Sequence, residues 1–97
     1  MSAPATALMW EARATEGRGA ELLEWARARA AELPRPPLRG ELLRAPQDRV
    51  LVITWWDGAY GDELPELPEL PEPDASLITR PVHRWRFESL GPVAPGR

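Results

Sequence analysis

The chain of 97 residues contains no cysteine and no lysine, and only one histidine, one tyrosine and one phenylalanine. The absence of cysteine excludes disulfides, thiolate metal sites and a cysteine nucleophile. No stretch approaches the roughly 20 apolar residues that span a bilayer, and the first residues lack the basic start and apolar run of a signal peptide. We therefore expect a cytoplasmic protein with no membrane partner.

The charge balance argues against nucleic acid as a partner. All 12 basic residues are arginines, against 15 acidic residues, and the net charge is −3 at pH 7. Such use of Arg with many Ala, Pro and Gly is typical of a GC-rich bacterial genome. A nucleic-acid-binding domain normally carries a dominant basic face and a high pI. At a pI near 5.2 we expect no nucleic-acid partner.

The run from Val50 to Trp56 is the most regular apolar segment of the sequence. β-branched and aromatic residues dominate it, and Asp57-Gly58 ends it, which predicts a strand. Both of its faces are apolar, so the strand should lie in the middle of a sheet that is covered on both sides. A single domain of this length can supply a helical layer for one face. A second copy of the chain could cover the other face.

Hydrophobic periodicity predicts one α+β domain over residues 1–90, with a flexible tail at 91–97. The predicted elements are a strand at 5–15, an amphipathic helix at 17–33, a short strand at 39–44, a hairpin turn at 45–48, the strand at 50–56 and a final strand at 76–89. If the irregular segment before the last strand replaces a helix, this order becomes the ferredoxin-like β-α-β-β-α-β. The first and third strands would then lie in the middle of a four-stranded antiparallel sheet.

Residues 63–71 are three copies of Glu-Leu-Pro, followed by Glu72-Pro73. Proline at every third position favours polyproline II, which would place Leu64, Leu67 and Leu70 on one edge and the glutamates on another. The repeat could be a docking strip for a partner, or a rigid spacer that covers one face of the sheet. Its acidic edge would lie near arginines of the last strand. Glutamates about 9 Å apart along this helix could not chelate one metal ion.

The element order, the strand end Thr54-Trp55-Trp56-Asp57 and the closing strand 82–87 (Val-His-Arg-Trp-Arg-Phe) resemble the dimeric α/β-barrel superfamily, above all the antibiotic-biosynthesis-monooxygenase-type domains. The resemblance covers roughly residues 5–89. It implies a ferredoxin-like domain that forms a homodimer with its sheets face to face, and cofactor-free oxygenation of flat aromatic compounds. Family members often carry an Asn on strand one and a Trp and a His on the second helix. Here strand one offers Glu11 and Arg13, and the proline repeat replaces that helix.

We predict a ligand site between helix and sheet, and we expect five residues to line it. They are Trp10, Trp56, His83, Arg84 and Trp85. His83 could work as an acid/base group, or could be a strand histidine packed beside Trp85. The tryptophans could line an aromatic cavity, or could fill the core and the dimer interface.

Two function classes follow from these residues. The first is a small-molecule-binding or cofactor-free monooxygenase-like protein that acts on a flat hydrophobic or aromatic compound. The alternative is a non-enzymatic interaction or structural protein of the same fold that has lost the pocket. No residue is singled out as catalytic, and we expect no metal and no cofactor. If strands one and four are neighbours, Glu11 is expected to lie near Arg84 or Arg86.

Overall fold

The computed structural model describes residues 5–58 and 67–93. Its elements are β1 (Ala5–Arg13), α1 (Gly19–Ala31), β2 (Arg39–Ala45), β3 (Arg49–Asp57) and β4 (His83–Ser89). The strands form one sheet in the order β2-β3-β1-β4, with every neighbouring pair antiparallel. The predicted α+β class, the four-stranded antiparallel sheet and the central position of strands one and three are therefore confirmed. This architecture is compatible with a ferredoxin-like arrangement.

The helix is shorter than predicted at both ends, and the reason at its start is the backbone of the preceding loop. Gly17 has a φ of 82°, which is outside the helical range. The Arg18 N–H donates to the Thr15 carbonyl in a turn before the helix begins at Gly19. No helix in the described part of the chain is long and apolar enough to cross a membrane.

The last strand begins seven residues later than the predicted start at Ser76. The Ser76 N–H donates to the Asp74 carboxylate at 2.8 Å and the Leu77 N–H to the Asp74 carbonyl at 2.9 Å, so the chain turns there. Ile78 then makes only an isolated bridge to Ala14. Leu77 and Ile78 fill the core beside β1.

The predicted hairpin joins β2 and β3 through a turn that also anchors the helix. Gln47 and Asp48 have φ values of 67° and 58°, the left-handed pair that tight hairpins use. The Asp48 carboxylate accepts the Gly17 N–H at 3.0 Å, and its carbonyl accepts the Ala14 N–H at 2.8 Å. The turn thus holds the end of β1 and the start of α1 together.

One face of the sheet packs against α1 and forms the main core. Trp10 is buried there, and its ring stacks on Trp25 of the helix with centroids 5.9 Å apart. Buried Trp56 donates its indole N–H to Thr54 Oγ1 at 2.8 Å. The other core residues on this face are Ala12, Ala14, Leu22, Ala26, Val50, Val52, Leu77 and Ile78. This is the apolar face that alternation in β3 predicted.

The described end of the Glu-Leu-Pro repeat, residues 67–73, lies on the same side of the sheet as α1; we call it the proline strip. Leu70 joins the main core, and Leu67 packs with Leu8 and Trp56. Glu69 and Glu72 lie outward, 3.6 and 3.5 Å from the guanidinium of Arg84. The leucine edge therefore packs on the domain and the acidic edge lies beside β4, as predicted. Residues 63–66 of the repeat and 94–97 of the tail lie outside the described residues.

Candidate functional site: the open face of the sheet

The sheet face that points away from α1 carries a second apolar layer, which we call the open face. Strand register and side-chain alternation place on it Leu43 of β2, Leu51, Ile53 and Trp55 of β3, Ala7 and Met9 of β1, and Trp85 and Phe87 of β4. Trp85 is 64% exposed and Phe87 is 48% exposed. A contiguous exposed apolar surface of this kind is typical of an interaction site.

The aromatic residues of the open face sit in adjacent rows across the strands. Trp85 lies directly opposite Met9, and Met9 lies opposite Ile53. In the next row Phe87 and Trp55 flank the small side chain of Ala7. The predicted central position of β3 is confirmed, but within residues 5–58 and 67–93 a packed layer covers only its α1 side, so the predicted cover of its second face is not seen there.

A polar cluster of three residues borders this apolar layer. Arg80 Nη2 donates to both carboxylate oxygens of Glu11, at 2.7 and 2.9 Å. His83 Nδ1 lies 3.4 Å from Glu11 Oε1. The expected pairing of Glu11 with Arg84 or Arg86 is wrong, because both arginines alternate to the α1 side of β4.

Charged residues mark the two ends of the open face. Arg13 and Arg49 lie directly opposite each other at one end, and Asp57 lies opposite Ala5 at the other. On the β2 edge, the guanidinium of Arg39 sits 4.7 Å from the centroid of the Trp55 ring and 3.2 Å from Glu41. Arg13 and Arg49 therefore border the apolar layer at one end, and Asp57 borders it at the other end, where Arg39 of β2 is paired with Glu41.

The five residues predicted for a ligand site lie on two opposite faces of the sheet. Trp10, Trp56 and Arg84 are on the α1 side, whereas His83 and Trp85 are on the open face. Arg84 donates to the Leu70 carbonyl at 2.6 Å and holds the proline strip. A single chain thus does not bring the five together around one pocket. Whether any of them binds a ligand stays a prediction.

The space between the sheet and its covering layer is small. A cavity of about 10 Å³ lies beside Trp10, Thr54 and Leu70, and a volume of this size holds about one water molecule. The indole N–H of Trp10 is buried with no partner among the described residues. Larger grooves, of about 390 and 510 Å³, lie at the end of the domain around the turn at residues 47–48.

No group of three or more metal-ligating side chains is arranged to hold an ion within residues 5–58 and 67–93. Met9 and Arg80 are not among the residues predicted for the site. Met9 could have been found by extending the alternation of strand one to the face opposite Trp10. Arg80 could not, because it belongs to the irregular chain before β4, where no periodicity indicates direction.

The chain matches no family model, no curated protein and no solved structure. What the open face does must therefore be inferred from its own residues.

Proposed function

We propose that this is a non-enzymatic interaction protein of ferredoxin-like fold whose open face pairs with the open face of a second copy. The observation that carries the proposal is the exposure of Trp85 and Phe87 on the edge strand β4, next to the apolar residues of β1 and β3 on the same sheet face. Burial of apolar surface contributes about 25 cal/mol per Å², and aromatic residues dominate the energetics of protein interfaces. A second copy is the partner that is always present at matching concentration.

The path of the chain supports the ferredoxin-like assignment. β1 and β2 run parallel with β3 between them, and α1 connects them. The second connection, from β3 to β4, returns on the α1 side, since Leu70, Leu77 and Ile78 pack into the same core as α1. On this proposal the proline strip and the turn after it take the place of a second helix, and the covering layer formed by the described residues lies on one side of the sheet.

The dimensions of the open face fit a dimer of moderate affinity. Four strands about 4.8 Å apart, each seven to nine residues long at about 3.4 Å per residue, span roughly 19 by 27 Å. Treated as flat, two such faces bury roughly 1,000 Å² of surface in total. This area is near the lower limit of specific protein–protein interfaces. Interfaces of this size are typical of weak or transient association.

Sedimentation equilibrium of the wild type and two variants tests this function. We expect a dimer for the wild type, a monomer for Trp85→Ser, and an unchanged dimer for the control Leu90→Ser. Leu90 is 87% exposed but lies beyond β4, so the control removes similar apolar surface outside the open face. Circular dichroism of both variants checks that the fold is kept. A Trp85→Ser dimer as tight as the wild type would contradict the proposal.

We also propose a second function, the binding of a flat aromatic compound, with monooxygenase-like activity as its catalytic form. Trp85 of the open face lies in the row next to Glu11 and His83 of the polar cluster, and Phe87 and Trp55 lie one row further away, which favours this candidate. Tryptophan fluorescence against a panel of flat aromatic compounds tests it. Saturable quenching that is lost in Trp85→Leu but kept in Trp10→Leu would support a site on the open face. No response to any compound would count against it.

A further inference from the structure

We infer that the second copy docks on the open face with its strands reversed, so that the basic end of each copy covers the acidic end of the other. The basic end is Arg13 and Arg49, and the acidic end is Asp57; Arg39 also lies at the Asp57 end, but its charge is already paired with Glu41. The two-fold axis then lies in the interface and crosses the strands at the level of Met9. This inference rests on the proposed pairing of open faces and specifies the orientation of the partner.

The first argument is that the charges at the two ends have no partners within the described chain. Arg13 and Arg49 are directly opposite each other, an arrangement of like charges that costs stability. Neither of them, nor Asp57, forms an ion pair with another residue of the described ranges. Arg49 donates only to the carbonyl of Pro46 in its own turn.

The second argument is that the two ends are too far apart to compensate each other within one chain. Ala5, opposite Asp57, and Arg13, opposite Arg49, are the first and last residues of the nine-residue strand β1. Eight steps of about 3.4 Å separate them by roughly 27 Å. The Debye length at physiological salt is about 8 Å. Only a reversed partner brings opposite charges together.

The third argument compares what the middle of the face meets in the two possible orientations. Glu41, Ile53, Met9 and Trp85 form one row across the strands. A two-fold axis across the strands places this row on itself, so Trp85 packs near the partner's Trp85. An axis along the strands places β4 over β2 instead, which would bury Trp85 against the partner's Glu41 and bring four arginines together at one end. The reversed orientation packs Trp85 on apolar surface. It also brings the two Glu41 carboxylates near each other on the edge strand β2, where each is already paired with Arg39 at 3.2 Å.

Substitutions that reverse the sign of the charges at either end of the open face test the orientation. Asp57→Arg places like charges at both contacts, and so does the double variant Arg13→Glu/Arg49→Glu. We expect each variant alone to dimerise about tenfold more weakly than the wild type or worse. Mixed together, the two variants should form a heterodimer, because every contact again joins opposite charges. Sedimentation of a fluorescently labelled variant against its unlabelled counterpart measures this recovery.

The matched control is Glu88→Arg, which reverses a charge at the same end as Asp57 but on the α1 side of β4. It should leave dimerisation unchanged. Circular dichroism establishes that each variant is folded. The salt dependence of the wild-type dissociation constant is a further test that needs no variant. If opposite charges meet in the dimer, the dissociation constant should rise with salt concentration.

The possible results distinguish a wrong orientation from a wrong proposed function. Preferential pairing of the wild type with Arg13→Glu/Arg49→Glu, or a wild-type dimer that tightens with salt, would show that like ends meet and would overturn the orientation alone. Equal dimerisation of every variant would also overturn it and would leave the paired open faces intact. A wild type that stays monomeric would overturn the orientation and the proposed function together.

Discussion

Trp85 lies directly opposite Met9 on the open face, while its neighbour Arg84 lies opposite the buried Trp10 on the α1 side. The edge strand β4 therefore has its aromatic side chains toward the surface and its arginines toward the covered side. Arg84 is accommodated because the Leu70 carbonyl and two glutamates of the proline strip surround its guanidinium. A strand with this orientation gives the sheet a second apolar layer, which no packed layer covers within residues 5–58 and 67–93.

Shortening Leu70 tests the role of the proline strip as part of the core. Leu70 is buried against Trp10, so Leu70→Ala should lower the free energy of unfolding by about 2–5 kcal/mol. Urea denaturation measures the change. The control Leu90→Ala should cost less than about 0.5 kcal/mol because its side chain is exposed. Equal effects of the two substitutions would mean that the strip is not packed.

Replacing Arg84 tests how the strip is held. Arg84→Gln removes the hydrogen bond to the Leu70 carbonyl and the charge beside Glu69 and Glu72. We expect a loss of about 1–3 kcal/mol of stability and faster proteolysis within residues 67–73. Arg86→Gln, on the same face of β4, is the control and should leave both unchanged. Cleavage of the strip at the wild-type rate in Arg84→Gln would show that leucine packing alone retains it.

Gly19 is required by the contact between the hairpin turn and the helix. A Cβ at this position would lie 2.6 Å from Asp48 Oδ1 and 3.2 Å from the Asp48 Cα. Gly19→Ala should therefore cost about 1–3 kcal/mol, in thermal or urea unfolding, because the turn must shift. Gly40→Ala is the control, since a Cβ there meets its neighbours no closer than 3.7 Å. An equally stable Gly19→Ala variant would refute the contact.

The pH dependence of stability should include a contribution from Asp74. The backbone N–H and then the hydroxyl of Ser76 donate to its carboxylate and lower its pKa. A lowered pKa in the folded state stabilises the protein above the unfolded value of about 3.9, and this is lost as pH falls through the folded value. Urea titrations at several pH values should show Asp74→Asn less stable than the wild type near neutrality, and the gap closing in acid. A gap that is constant with pH would contradict this assignment.

The sequence predicted the architecture well because the relevant information is local. Which residues of β3 share a face follows from the two-residue period of a strand, and the apolar character of both faces indicates a central strand. The leucine period of the repeat likewise placed Leu67 and Leu70 on a packed edge, since three residues per turn is a property of polyproline II itself.

The arrangement of the site could not be predicted in the same way. Alternation shows which residues of one strand share a face, but not which faces of two strands coincide. That depends on register, and a shift of one residue exchanges the two faces. Here Arg84 pairs with Trp10, so His83 lies opposite Glu11 and away from Trp10 and Trp56. The position of Arg80 depends on an irregular segment that carries no period.

Isotope-filtered NMR tests the central claim, the pairing of open faces, most directly. In an equal mixture of chains with ¹³C-labelled methionine methyl groups and unlabelled chains, only contacts between copies give cross-peaks from labelled to unlabelled protons. We predict cross-peaks from the Met9 methyl group to the aromatic protons of Trp85 in the other copy. A dimer whose cross-peaks exclude the open face, or an absence of any cross-peak at concentrations far above the dissociation constant, would contradict the account.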